Sequence, residues 1–389
     1  MDFSYSEDQR EMYDFATELS RRYFAERAFT WEATGEHPWA NLKILATHGL
    51  TGMLVPEKDG GQGQSIVNTL LAQEAISRVC PHTGDAFHSA NFRGVLHLAR
   101  YASEGVKRRY LTPVIEGEAL MALGTSEPDA GSATGEMRTK VRDGGDGTVV
   151  VNGTKIFNSD GTHASHWLLW AKFEDEGGGI GTLVIDRETP GFSVESPQKW
   201  IFGAPHATLF FDDCRVPAGN VVSTKEGLPG LFDLHNIERM SNAARSIALA
   251  SLALQMARDY TQIRHQGGHL IGDYQGIRWK LADMAVKLAA ARLLTYRAAA
   301  NADARGGKAD RLEVSIAKLY ANEVGFEIAN EAMAIFGGNG LSAESPINFL
   351  FRRTRGLLVG GGTPEILRNG ISREIMRASD PVSMSGLGL

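Results

Sequence analysis

The sequence predicts an α+β chain in three parts. An N-terminal α-helical domain spans 1–120, a central β-barrel-like domain 121–228, and a C-terminal antiparallel helical bundle 229–389. Three observations predict this. Apolar residues recur at helical spacing as far as Gly117. Short runs rich in Val, Ile, Leu, Phe and Trp follow, punctuated by Gly, Pro, Asp and Asn. Long alanine-rich helical periodicity returns at Leu231.

Residues 6–28 read as one amphipathic helix, with Met12, Phe15, Ala16, Leu19 and Phe24 on one face. Segments 39–50, 66–79 and 83–117 carry the same helical pattern. Between the first two, GMLVPEKDGGQGQS has phosphate-loop composition without a Lys-Ser/Thr ending, so it reads as a turn. Strands are expected at 148–151, 167–173, 182–185, 192–194 and 207–211, with GGDG and EDEGGG as hairpin tips. Asn152-Gly153 reads as a tight turn joining two antiparallel strands, because both residues tolerate positive φ. Helices are expected at 231–264, 275–305, 311–335 and 363–377. Leu281, Met284, Ala285, Leu288 and Ala289 form one stripe, and Gly306-Gly307 and Gly337 to Gly340 end helices. Helices of this length pack as a bundle.

A 43% hydrophobic content over 389 residues supplies a sizeable core, and a net charge of −6 gives no basis for nucleic-acid binding. No uninterrupted apolar run is long enough for a bilayer. The acidic start, MDFSYSEDQREM, lacks the basic-then-apolar pattern of a signal peptide. Cys80 and Cys214 are far apart and lack metal-type spacing, so thiols in a reducing cytoplasm are expected, with no metal, nucleic acid or membrane partner.

SEPDAGSA (126–133) and KIFNSDG (155–161) resemble the flavin-facing loops of the acyl-CoA dehydrogenase superfamily, usually TEPxAGSD and KxWITNG, in order and separation. Family-like pieces continue at 264–284, 336–340 and 361–368. The resemblance implies FAD as cofactor and an acyl-CoA or acyl-carrier-protein thioester as substrate. It also implies an electron-transfer flavoprotein as acceptor and a homotetramer. The reaction implied is α,β-desaturation: a carboxylate removes the α-proton and flavin N5 takes the β-hydride.

Position by position, the resemblance puts Thr125 and Ser126 at the flavin pyrimidine edge. Ser132 falls near the pyrophosphate and the thioester arm, Phe157 where a tryptophan flanks the ring, and Ser159 near N5. Loop capping is the alternative for Ser126 and Ser159. Arg264, Gln275, Gly337 and Gly338 match positions that bind diphosphate and adenosine across a subunit contact. Thr363 and Glu365 match cofactor contacts after the catalytic loop. Taken singly, each of these also suits a surface charge or a turn. Three departures stand out: Gly267 replaces a phenylalanine, Ala133 an aspartate, and Gly361 the common catalytic glutamate. The isovaleryl and long-chain branches instead carry their glutamate on the first bundle helix, directly before an arginine. That pair is Glu238-Arg239 here. Glu238 is therefore the expected base and Arg239 an expected substrate contact, with a solvated ion pair as the alternative. Gly361 retains the backbone N–H that binds the thioester oxygen in the family.

Competing readings sit on the same fold. HPWAN, SEPDAGSATGEM and GGTPEILR are similar to the 3-sulfinopropionyl-CoA desulfinases. These keep FAD, lack the base and read a sulfinate with an arginine of the N-terminal domain; Arg93 is the closest candidate, with Asp85 and His88 nearby. A flavin monooxygenase or oxidase is a further reading. So is a non-catalytic subunit of a hetero-oligomeric dehydrogenase.

Overall fold

The first helix begins at Ser6 with a capping box. The Ser6 hydroxyl accepts from the Gln9 N–H and Gln9 Oε1 accepts from the Ser6 N–H, satisfying two donors that a helix start leaves open. The computed structural model describes residues 4–174, 179–195, 200–201, 206–224 and 227–379. Its principal N-terminal helices are α1 (Glu7–Tyr23), α2 (Trp39–Thr47), α3 (Ile66–Val79), α4 (Pro81–Asn91) and α5 (Arg93–Tyr101). Eight strands follow: β1 (Met121–Gly124), β2 (Lys140–Asp143), β3 (Thr148–Ser159), β4 (His166–Phe173), β5 (Ile180–Asp186), β6 (Phe192–Glu195), β7 (His206–Pro217) and β8 (Val221–Ser223). The C-terminal helices are α6 (Gly227–Thr261), α7 (Gln275–Ala304), α8 (Arg311–Phe336), α9 (Pro346–Leu357) and α10 (Pro364–Arg377). The α–β–α order is the one expected from the sequence.

Internal packing divides the chain into two units. The first comprises Met1–Thr30, Ile66–Gly84 and Asn236–Leu389; the second comprises Trp31–Ser65 and Asp85–His235. In the first, α3 packs on α1 and α7, and α8 packs on α7, α9 and α10. Ala243, Ile247, Ala250, Leu288, Ile328 and Leu350 lie in its core. In the second, the strands form one mixed sheet in the order β6-β7-β3-β2-β4-β5-β8, with β1 parallel to β4. Val151, Trp167, Leu169, Leu183 and Leu209 fill one side, and Val95 and Leu98 of α5 join Met121, Leu168 and Val184 in a second cluster.

Several expectations are corrected. Asn152-Gly153 is no hairpin turn. Strand β3 runs through it as a bulge, where its pairing with β7 slips between Val151 and Gly153. Asn152 spends its side chain on Asp213, donating to Oδ1 (3.0 Å) and accepting from the backbone N–H (2.8 Å). Gly153 has φ of 145°, and a Cβ there would lie 2.7 Å from Thr139 Cα, so the glycine serves close strand approach. The segment 83–117 is broken at Phe92 and again after Tyr101. In α1, Phe15 is exposed while Ala16, Leu19 and Ser20 are buried. In α7, Met284 and Leu288 are buried, but Ala285 and Ala289 face out. Helix α9 was not expected at all. The GGDG tip joins β2 to β3 as an exposed hairpin; within EDEGGG, residues 175–178 lie outside the described residues. Among the described residues no helix is long and apolar enough to cross a membrane.

Candidate functional site

In the second unit a buried lysine fastens the two flavin-type motifs together. Lys155 Nζ donates to the Thr125 carbonyl (3.0 Å) and to Glu127 Oε1 (2.7 Å), and the Ile156 N–H donates to the Ser126 carbonyl (2.8 Å). Glu127 also accepts from the N–H groups of Arg138 (2.5 Å) and Thr139 (2.9 Å). Burial pushes the Glu127 carboxyl up, but these hydrogen bonds and the Lys155 charge outweigh it and hold the group below its ordinary range. Thr125 and Ser126 are thereby locked against the end of β3.

That strand end is held in an unusual conformation. Phe157 and Asp160 have φ of 60° and 61°. The Phe157 ring is 53% exposed and meets Trp200 edge-on at 5.4 Å. Ser159 pairs across the sheet with His206, its Oγ 3.0 Å from His206 Nε2, and the His206 ring lies 4.7 Å from Trp200. Asp160 accepts from Arg93 (2.6 Å) and Ser89 (2.6 Å). Burial raises the Asp160 carboxyl, but the charges of Arg93 and His37 and the hydrogen bonds from Ser89 and Arg93 together outweigh it and hold the group well below the usual carboxylate range. Beside it, burial lowers His37 to about 4. Ser126, Phe157 and Ser159 are thus brought to one strand end, while Ser132 lies exposed in the loop before β2. Sequence reading missed His206, Trp200 and both buried ion pairs. Glu127 and Lys155 stand inside the quoted motifs, and a charged residue in each was the available signal.

In the first unit the residues expected to meet the diphosphate gather at one end of the bundle. Arg264 follows the end of α6, Gln275 opens α7, and Gly337 and Gly338 follow α8; all four are exposed. Tyr260 of α6 stacks on Phe336 of α8 at 4.2 Å and accepts from Asn339 (2.9 Å), which joins these ends. The α7 N-terminus has no side-chain cap. An exposed arginine beside an open N-terminus of a long helix suits a diphosphate. The aromatic missing at Gly267 is partly made good: the Tyr274 hydroxyl sits 2.8 Å from where a Gly267 Cβ would be, and its ring is 43% exposed. An exposed aromatic at β3 and an anion-suited bundle end are the features a flavin dinucleotide needs, so both units fit it.

Also in the first unit, Gly361 lies in the turn between α9 and α10, and its carbonyl accepts from Arg239 Nε (2.7 Å). Arg239 Nη1 donates to Asn236 Oδ1 (2.8 Å). Arg239 is buried, which lowers its pKa to about 10. Two of its donor nitrogens are therefore engaged within the protein, where they hold the loop. Glu238, its neighbour on α6, is half-buried, and its charge is felt at Arg239. Thr363 caps α10 by accepting from the Ile366 N–H (3.4 Å). Exposed Glu365 sits in the first turn of that helix, where its own backbone N–H and the Thr363 hydroxyl lower its pKa. The structure thus gives Thr363 and Glu365 a capping role.

Family models for the acyl-CoA dehydrogenase N-terminal, middle and C-terminal domains match residues 6–118, 122–214 and 226–376. The chain is 31% identical to the probable acyl-CoA dehydrogenase YngJ of Bacillus subtilis, over 97% of this chain and 100% of that protein. It is 30% identical to a 3-sulfinopropanoyl-CoA desulfinase of Paraburkholderia xenovorans, over 96% and 97% of the two chains. Its fold is similar to that of butyryl-CoA dehydrogenase from Megasphaera elsdenii, with a TM-score of 0.89 at 28% identity, covering 97% of this chain and 100% of that one. The chain belongs to the acyl-CoA dehydrogenase family.

Proposed function

We propose that the protein is an FAD-dependent acyl-thioester dehydrogenase that introduces an α,β double bond, with Glu238 as the α-proton base. One observation carries the reading. Arg239, the residue after Glu238, is hydrogen-bonded to the Gly361 carbonyl at 2.7 Å. The helix turn bearing the carboxylate is therefore tied to the loop that carries the candidate N–H donors. A base and a site for developing negative charge on oxygen belong together in removal of a proton α to a carbonyl. FAD, when bound, accepts the β-hydride. Phe157 and Ser159 present an aromatic face and a hydroxyl to it, Thr125 and Ser126 frame its edge, and Ser132 lies open to the thioester arm. Arg264, Gln275, Gly337 and Gly338 take the diphosphate end of a neighbouring subunit's FAD, across a subunit contact.

Glu238→Gln keeps the side chain's shape and removes its basic oxygen. It is expected to leave FAD content intact and slow flavin bleaching by acyl-CoA by about two to four orders of magnitude. Near-normal bleaching overturns the assignment.

Further parts of the reading are the domains 1–120, 121–228 and 229–389, a homotetrameric assembly, transfer of electrons to an electron-transfer flavoprotein, and a cytoplasmic location. Self-association is supported by α7, where Trp279, Val286 and Leu293 recur every seventh residue and are 61%, 69% and 57% exposed. A reducing compartment is supported by the two buried free thiols. A desulfinase-like reaction is the second reading, favoured by the likeness to the Paraburkholderia xenovorans protein and by the missing carboxylate at Gly361. Arg93 weighs against it: its guanidinium is 10% exposed and paired with Asp160, which leaves it poorly placed to read a sulfinate.

A further inference from the structure

We infer that Lys318 is a positioning residue which, with Arg239, Asn242 and Asn322, turns the glycine loop so that its backbone N–H groups receive the thioester oxygen. The inference rests on the dehydrogenase reading above.

Between Leu357 and Thr363 the carbonyl oxygens are taken one after another by side chains of α6 and α8. Asn322 Nδ2 donates to Leu357 (2.8 Å) and Asn242 Nδ2 to Gly360 (3.3 Å). Arg239 takes Gly361, and Lys318 Nζ donates to Gly362 (2.7 Å) and Leu358 (3.3 Å). Asn322 also donates to Asn242 Oδ1 (2.7 Å), which fixes the amide orientation of that pair. In a trans peptide the carbonyl of one residue and the N–H of the next point in opposite directions, and every peptide described here is trans. Carbonyls drawn toward Asn242, Arg239 and Lys318 therefore turn the N–H groups of Gly361, Gly362 and Thr363 away from those side chains. Among the described residues the Gly361 and Gly362 N–H groups meet no acceptor. The loop adopts this form because Gly361 and Gly362 have φ of 74° and 105°, which L side chains rarely adopt.

Electrostatics adds to the geometry. Lys318 and Arg239 place two cations behind the loop, and the 14-residue helix α10 starts directly after it with its positive end. N–H groups aimed together with positive charge behind them suit an oxygen that gains negative charge as the α-proton leaves. Lys318 itself, 1% exposed, acts through the loop and touches no substrate.

The test compares two ligands that differ only in the carbonyl. One is the 2-enoyl-CoA chain length that wild-type, FAD-loaded protein binds best; the other is the S-(2-alkenyl)-CoA thioether of the same length, which keeps the double bond. Calorimetry gives Kd for both. Lys318→Met keeps the apolar stem and removes the donor. It is expected to raise Kd for the enoyl thioester about tenfold or more and leave the thioether unchanged; Lys318→Gln, which keeps one donor, is expected to fall between. An equal rise for both ligands, or no rise for either, overturns the inference while leaving the dehydrogenase reading in place. A wild type that fails to prefer thioester over thioether overturns both. If Lys318→Met does not fold, Asn242→Ala carries the comparison, because it frees the Gly360 carbonyl whose peptide bears the Gly361 N–H.

Discussion

Lys155 in the second unit and Lys318 in the first are buried to the same degree, 0% and 1% exposed, yet their partners differ. Lys155 has the Glu127 carboxylate at 2.7 Å. Lys318 has two carbonyl oxygens, and the nearest charge felt at it is another cation, Arg239. Burial lowers Lys155 to about 8 against the pull of Glu127. Burial and Arg239 together lower Lys318 to about 7. The first lysine is a fastener: its charge is cancelled on the spot, and what remains is a locked strand end. The second has no carboxylate acting on it, which suits the oxyanion site inferred above.

Breaking the fastener has the largest expected effect. Glu127→Ala strands a buried cation and should destabilise the fold by about 3–5 kcal/mol in equilibrium denaturation. Lys318→Met should stay within about 1 kcal/mol of wild type, since relief of the desolvated charge offsets the donors lost to two carbonyls. Equal costs for the two variants would erase the distinction.

Acidity sharpens the comparison next. Burial and Arg239 hold Lys318 at about 7 when folded, against the ordinary lysine value of 10.5 when unfolded. Between those values the unfolded chain binds more protons, so this group makes the fold more stable as pH rises and less stable as pH falls through 7. The contribution is on the order of 2–4 kcal/mol across the window. Lys318→Met should flatten that rise when unfolding is measured at both ends; an unchanged slope would mean an ordinary amine.

The smallest expected change in flavin bleaching is at Gly361. A Cβ there lies 3.6 Å from Arg239 Cγ and 3.9 Å from Lys318 Cε, with room to spare, so Gly361→Glu costs mainly backbone strain of about 1–2 kcal/mol. The new carboxylate starts toward the two cations and should pair with them. Added to Glu238→Gln, it is expected to leave flavin bleaching by acyl-CoA unrestored. Recovery of bleaching would show that the loop can swing its side chain outward and that the cations do not hold it.

The helical and strand segments were largely legible because periodicity is a local property. Segment 66–79 matches α3, and 275–305 matches α7 to within a residue. Asn152-Gly153 misled because the same dipeptide suits a hairpin turn and a bulge, and only the partner strand β7 decides between them. Helix α9 was legible but overlooked: Ile347, Leu350, Thr354 and Leu357 form a buried helical stripe behind a Ser345-Pro346 start, masked by the arginines among them. Around the site, motif positions such as Ser126, Phe157 and Gly361 could be named from sequence alone. Lys318 could not, because it lies forty or more positions before the carbonyls it serves, on a helix whose alanine-rich pattern gives no reason to single it out. The loop contact of Arg239 was hidden for the same reason: its partner is 122 residues away.

The glycine turn has a thermodynamic consequence of its own. It is anchored at both ends, by the last turn of α9 and by the Thr363 cap of α10, and both helices pack on α8. Fixing a free backbone costs about 1–2 kcal/mol per residue in conformational entropy. Here that cost falls once, when the polypeptide folds, and does not recur each time a ligand arrives. A thioester meeting segment 358–362 finds its donors already in place, so the free energy gained by gripping the rest of the molecule is left to stabilise the passage over the barrier.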